Sequence, residues 1–488
     1  MKTLFLWPAF GAKHSRYPPL GIAYLAAVLI ENNFPVEIID ASKYVDYGEF
    51  ERELIKKRPD ILGISVLSVH YDSAIKAAKI AKRVLPSVTV VFGGPHPTVL
   101  PEETLKNSEI DVVITGEGEF KYLDFLKAIS GKTDLSQVKG IYYKADAKII
   151  KTPDAEPIEN LDTIPLPARH LLPMHEYIRQ APTLPLPFPS TTIIASRGCY
   201  GNCRFCQPTL KKIFGGKVRY RNPARVVEEM IALKNEYHLK GIYFADDEPT
   251  WEREWMLELC EEIVRRKVEI AWICASRVDT VDLELLRTMK KAGCIQIGFG
   301  VESGSQKILN YYRKGLKKER IAPAFRMCQE VGIIARANIM IGAPHETTAD
   351  VQETISLLRK IKPDLIAVSV TTPIPGTDLF TDANEKGILR KGVLGVYDRF
   401  YIDTMKRALS DSEIKKLIRK IVRAYLYEIA VLLLNPFELY KRRHLFYRIL
   451  VHWGTLLKNP QALVKDIVYY LHYADKEKNT AILDAKSH

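Results

Sequence analysis

No apolar stretch in this 488-residue chain approaches the roughly 18 to 20 residues that a membrane-crossing helix needs, so the chain is not expected to span a bilayer. Cysteine is scarce and unevenly placed: there are seven, none before Cys199 and none after Cys328, with five between positions 199 and 274. That distribution does not look like an extracellular disulfide framework, and a reducing cytoplasm is the expected setting. A cleavable leader is not expected either. The opening KTLFLWPAF carries one charge, holds a proline inside its short apolar run and has no small-residue cleavage site, so it reads as a buried first strand. No internal repeat or low-complexity segment is found.

What is present is globular material, 47% hydrophobic, of a length that suggests about three domains and rules out disorder. The net charge of +13 is concentrated late: from Tyr401 onward there are 16 Lys and Arg against 9 Asp and Glu. Residues 1–150 alternate short β-rich apolar runs (TLFLWPA, VEIIDA, ILGISVLS, VTVVFGG, DVVITGEG) with segments of helical spacing, at Pro19 to Asn32 and Tyr71 to Leu85. Such alternation predicts an α/β fold with a doubly wound parallel sheet, whose ligands bind at the carboxyl ends of the strands. Residues 151–190 hold nine of the 28 prolines and read as an extended linker draped over a neighbour. Over 191–386 a second series follows (STTIIASRG, GIYFADD, IAWICASR, CIQIGFGVE, ARANIMIGAP, LIAVSVTTP), joined by helix-length segments such as Pro223 to Tyr237 and Thr348 to Ile361. Six βα units closing partway into a barrel fit that length. From 387 to 488 strand signals stop and basic helical patterns take over.

The strongest chemical signal is GCYGNCRFC, which sets Cys199, Cys203 and Cys206 on a C-x3-C-x2-C loop directly after a strand. Three thiolates on one short loop can hold three irons of a 4Fe-4S cluster and leave the fourth iron open to an outside ligand. Zinc would want a fourth ligand, for which His170, His175 and His238 are the nearest histidines, none on the loop. The loop resembles the cluster-binding loop of the radical S-adenosylmethionine (radical SAM) superfamily, whose partial (βα)6 barrel begins at that strand. The resemblance implies that Phe205 packs against the adenine, and that one of Asp246, Asp247 and Glu248 in GIYFADDEPT holds the methionine ammonium. A helix N-cap cluster is the other reading of those acids. It further implies contacts to ribose and to the methionine carboxylate from Ser276 and Arg277 in CASR and from Glu302 and Ser303 in GFGVESGS; a planar Arg fork suits a carboxylate, and a carboxylate suits a ribose diol.

A Rossmann-like sheet ahead of this barrel resembles the cobalamin-binding subclass of the superfamily. The resemblance rests on Ser65 and Leu67 (S-x-L), on Gly93 and Gly94, on Pro19-Leu20-Gly21 in PPLGIAYLAA, on His96 in GGPHPT and on Gly116-Glu117 in TGEGE. One departure stands out. Other cobalamin proteins supply an axial histidine from D-x-H-x-x-G after the second strand, whereas here the strand ends IIDASKYVDYG, with Asp40 present and no imidazole following. The resemblance therefore implies cobalamin bound without a protein histidine below it. His70 reads as a helix-start residue and His96 as packing beside the cofactor loop. Cys260, Cys294 and Cys328 are scattered singly and read as core, while Cys274, close to Ser276, is a candidate for contact with substrate or cofactor.

Together the resemblances imply a cobalamin-dependent methyltransferase acting on an unactivated carbon: SAM is cleaved at the cluster to methionine and a 5'-deoxyadenosyl radical, and methylcobalamin supplies the methyl group. A radical oxidative cyclase of the same architecture is the alternative among enzymes, and a cobalamin or iron–sulfur sensor is the alternative outside them. The expected partners are a small-molecule or lipid-like substrate and a low-potential electron donor. The basic stretch Leu417 to Tyr473 reads as helices capping the barrel, or else as a peripheral contact with an anionic membrane surface. No recognition module for nucleic acid accompanies the charge.

Overall fold

The protein is described by a computed structural model covering residues 1–10, 17–131, 133–146, 148–178, 186–390 and 404–434, with side chains followed as far as 428. Seven strands form the first sheet: β1 (Thr3–Trp7), β2 (Val36–Asp40), β3 (Ile61–Ser65), β4 (Thr89–Gly93), β5 (Val112–Ile114), β6 (Ile141–Ala145) and β7 (Lys148–Lys151), in the order β2-β1-β3-β4-β5-β6-β7. The first five in that order run parallel, and both of their faces are covered. Phe5, Val91 and Ile114 pack beneath the helices Leu20–Glu31 and Glu119–Ile129. Leu4, Leu6, Ile64 and Phe92 pack on the other side against Ala74, Ala77 and Ala81 of the helix Tyr71–Val84. Burial on both sides explains why these strands read as continuous apolar runs. The edge differs from the all-parallel expectation: β6 pairs antiparallel with both β5 and β7. Too few residues separate β6 from β7 for a crossover, so the chain turns back as a hairpin, helped by Asp146 at φ +48°.

The second sheet runs β15-β14-β13-β12-β11-β8, all parallel, from β8 (Ser190–Ile193), β11 (Gly241–Phe244), β12 (Ala271–Ser276), β13 (Cys294–Glu302), β14 (Ile334–Ile341) and β15 (Leu365–Val370). Six parallel strands laid side by side in chain order are the expected partial barrel. A short antiparallel ribbon of β9 (Ser196–Arg197) and β10 (Arg219–Tyr220) flanks its first strand. The core between strands and outer helices is filled by Trp272, Phe244, Phe299 and Phe325. The helices Pro223–Tyr237 and Thr348–Ile361 begin and end where the sequence pattern places them, the second opened by a capping box between Thr347 and Asp350.

The proline-rich segment lies along the first sheet's unit. Ala168 N donates to Ala23 O at 3.0 Å, Ile158 N donates to Glu117 Oε2 at 2.9 Å, and the Tyr177 hydroxyl donates to Asp40. The helix Asp411–Leu434 turns Ile414, Leu417, Ile421 and Ala424 into the barrel core, a stripe at three- and four-residue spacing, and Tyr425 donates to Asp364 O at 2.8 Å. The capping reading holds for this helix. The basic patterns after 434 lie outside the described residues. Among the described residues no helix is long and apolar enough to cross a membrane.

Candidate active site

The cysteine loop leaves β9 through Gly198, whose φ of +97° and approach to Lys217 O, 2.7 Å from where a Cβ would stand, admit glycine alone. Gly201 sits between two of the thiols. Its N–H points at Cys199 Sγ at 3.3 Å, and a Cβ there would lie 3.2 Å from that sulfur and 3.7 Å from Cys203 Sγ. Burial pushes all three thiols above their ordinary range, with Lys314 pulling Cys203 and Cys206 partway back. Thiols in that state ionise when metal binds. The donor set is three free thiols on one short loop, with His175 exposed beside Glu176, and so fits a three-cysteine iron–sulfur cluster better than a four-ligand zinc site. Phe205 stands half-buried, edge-on to Tyr312 at 5.3 Å.

The three acids after β11 have separate surroundings. Asp246 Oδ1 accepts from Ala195 N at 3.0 Å, from Ser196 Oγ at 2.6 Å and from Ser196 N, while Oδ2 is buried without a partner. Burial raises its pKa to about 7. Asp247 opens onto the cavity described below, and burial raises it to about 6, the Gly198 N–H offsetting part of the effect. Glu248 is buried and accepts from Thr250 Oγ1 at 2.7 Å and Arg277 N at 3.2 Å. Ser276 belongs to the same network, 2.6 Å from Thr250 Oγ1.

Two of the expected SAM contacts are already engaged. The Arg277 fork is filled by Asp279 at 2.8 and 2.7 Å, and its Nη1 donates to Lys314 O. Ser303 is fully buried against Thr354 Oγ1 at 3.2 Å, holding the helix Thr348–Ile361 rather than facing the loop. Glu302 keeps the backbone of a special position, φ +60°, and pairs with Lys314 Nζ at 2.9 Å. Gly300 is what leaves them room, since a Cβ there would come within 2.6 Å of both side chains. Lys314 was not expected from the sequence, where YRKG looks like a solvated helix end. Nine-tenths buried and close enough to act on Cys203 and Cys206, it is a cation at the cluster loop.

A cavity of about 250 Å³ lies between the carboxyl ends of the first sheet and the start of the barrel. Gly21, Ser65, Gly93, Gly94, Gly116 and Glu117 all line it, opposite Ser196, Arg197 and Asp247. The glycines make its wall: Gly94 has φ +93°, and a Cβ would stand 3.0 Å from Val66 N. An apolar cleft with glycine-lined strand ends fits a cofactor tail passing close beside the backbone. Other expected contacts are not on this wall. Leu20 is in the core, Pro19 begins the helix Leu20–Glu31, and Leu67 begins the 3-10 turn Ser68–His70. Asp40 is spent on Ser42 N at 3.0 Å and on Tyr177. His96 is buried with Nδ1 3.0 Å from Ser68 Oγ and its ring over Tyr71, and burial lowers its pKa to about 4, so it packs as expected. His70 starts the helix Tyr71–Val84 against Trp7. Cys274 lies with Cys260, Cys294 and Cys328 in the core between strands and helices, its thiol against Cys294.

Comparison with known proteins agrees with this geometry. Residues 193–358 match the radical SAM superfamily and residues 11–123 the B12 binding domain. An uncharacterized methyltransferase of Pyrococcus horikoshii is 33% identical over 423 residues, covering 86% of this chain and 90% of its own. The anaerobic magnesium-protoporphyrin IX monomethyl ester cyclase of Rubrivivax gelatinosus is 31% identical over 399 residues, covering 79% and 70%. Among solved structures, the cobalamin-dependent radical enzyme OxsB superposes with a TM-score of 0.72 at 19% identity, covering 97% of this chain and 75% of that one, a likeness of fold. A cysteine loop at the head of a partial barrel, a glycine-walled cavity facing it and relatives matched along most of their length lead to one conclusion: the chain belongs to the cobalamin-binding radical SAM enzymes.

Proposed function

We propose that the protein is a cobalamin-dependent radical SAM methyltransferase that alkylates an unactivated carbon of a small-molecule substrate. The observation that carries the reading is a shared wall: the strand leading into the cysteine loop (Ser196, Arg197) and the acid ending β11 (Asp247) both line the cavity under the sheet's glycines. Bound there, the cofactors supply the hard chemistry, one-electron cleavage of SAM at the cluster and a methyl group on the corrinoid. The chain's own residues position and enclose. Cys199, Cys203 and Cys206 hold the cluster, Asp247 is the acid open to a ligand ammonium, and Lys314 with Glu302 offers a cation and acceptor beside the loop. Gly21, Gly93, Gly94 and Gly116 let the corrinoid tail pass. The division of labour follows 1–150 for the corrinoid, 151–190 as strap and 191–386 for radical chemistry, with a low-potential electron donor as partner.

The Rubrivivax relative keeps cyclisation as the second reading, because it is named a cyclase and aligns with 79% of this chain. Incubating the reconstituted enzyme anaerobically with metabolite extract and methyl-deuterated SAM separates the two. Methyl transfer gives a product carrying the labelled methyl group. Loss of two hydrogens without label would favour the cyclase.

A further inference from the structure

We propose that Arg197 is a positioning residue that couples the corrinoid cavity to the cluster loop, with Glu117 and Glu119 as its anchors on the sheet. The proposal rests on the cobalamin and cluster reading above and goes beyond it by assigning the TGEGE acids to a joint rather than to the cofactor. Arg197 is two residues ahead of Cys199. Its Nη1 donates to Glu117 Oε1 at 2.9 Å and its Nη2 to Glu119 Oε1 at 2.6 Å, and all three side chains are at least nine-tenths buried. The other oxygen of Glu117 accepts from Arg219 Nη1 at 2.8 Å, and Arg219 is the β10 residue paired with Arg197. One carboxylate therefore holds both strands of the ribbon from which the cysteine loop springs.

Buried ion pairs of this kind are poor glue, since apolar side chains of similar volume would hold an interface as well. What they add is direction. A planar guanidinium gripped at both ends by carboxylates from one strand end fixes the arginine, and with it Gly198 and the first cysteine, relative to the sheet. Glu117, Glu119 and Arg197 also line the cavity, so a corrinoid seated there would meet the same residues that orient the loop. Occupancy of the two sites is then linked, and the linkage is reciprocal.

The test uses the full chain with its cluster reconstituted, and follows iron release to a chelator with and without hydroxocobalamin, whose binding is read separately from its visible spectrum. In the wild type, at equilibrium with the chelator, bound cobalamin raises the chelator concentration that removes half the iron about fivefold or more, the low end of ordinary coupling between sites. Arg197→Lys keeps the charge and loses the fork; in folded protein compared at saturating hydroxocobalamin, protection falls below about twofold. Glu119→Gln, which leaves the Glu117 pair intact, gives an intermediate protection and serves if the lysine variant does not fold. Equal iron release with and without bound cobalamin in the wild type overturns the proposal, as does full protection in a folded variant. If hydroxocobalamin fails to bind the wild type at all, the cobalamin reading fails and takes the proposal with it.

Discussion

Replacing Asp246 with asparagine separates the roles of the acids that follow β11. The side chain is enclosed, one oxygen accepts three hydrogen bonds and the other accepts none. Burial moves its pKa from an ordinary 3.8 to about 7, so the folded chain keeps a proton that the unfolded chain gives up. The sign follows from linkage: this group's contribution to stability is complete below about pH 4 and is lost as pH rises through about 7. At about 1.4 kcal/mol per pKa unit, that gap corresponds to an upper bound of roughly 4 kcal/mol lost by pH 8, and relaxation of the site leaves about 2–4. Asparagine offers the same triple acceptor through its carbonyl and puts a neutral NH2 where the orphan oxygen stands. Asp246→Asn should therefore match the wild type within about 1 kcal/mol at pH 4.5 and exceed its stability by about 2–4 kcal/mol at pH 8, with SAM affinity retained. Urea unfolding of the full chain at the two pH values, with equilibrium dialysis of SAM, measures both. A variant less stable than the wild type at pH 8, or one with a parallel pH profile, refutes the argument. A folded variant that no longer binds SAM would make Asp246, not Asp247, the ammonium ligand.

Gly201→Ala sets a methyl group 3.2 Å from Cys199 Sγ, so iron content after reconstitution should drop well below the wild-type ratio while stability stays within about 1 kcal/mol. Glu229→Gln leaves Arg169 and Arg221, now 3.1 and 2.5 Å from its two oxygens, as buried cations without a counter-charge. The expected cost is about 3–5 kcal/mol in urea unfolding, and a loss under about 1 would show the site to be wetter than it looks. Gly94→Ala forces a side chain into φ +93° and should cost about 1–3 kcal/mol, with weaker hydroxocobalamin binding by absorbance titration.

Much of the barrel was legible because its signals are local. Pro223–Tyr237 and Thr348–Ile361 carry their own caps and apolar stripe, and the cysteine triplet is one loop of nine residues. The parallel strands were readable as apolar runs because both of their faces are buried. The β6–β7 hairpin was not, since KGIYYKADAKIIK has neither such a run nor a glycine at the turn. Partners distant in sequence were the other blind spot. Nothing near Glu117 announces Arg197, 80 residues later, and nothing near Asp40 announces Tyr177, 137 residues later; both acids looked like cofactor residues because they end strands. Lys314 hid for the opposite reason. A lysine in a basic stretch is ordinarily solvated, and only the bulge at Glu302 together with the side-chain-free Gly300 brings it inside.

The most direct test of the central claim is anaerobic purification with iron and corrinoid quantified, followed by addition of SAM and a strong reductant. The account predicts about four irons and an equimolar corrinoid per chain after reconstitution, with 5'-deoxyadenosine released on reduction. A folded protein that holds iron but binds no corrinoid and releases no 5'-deoxyadenosine would contradict it.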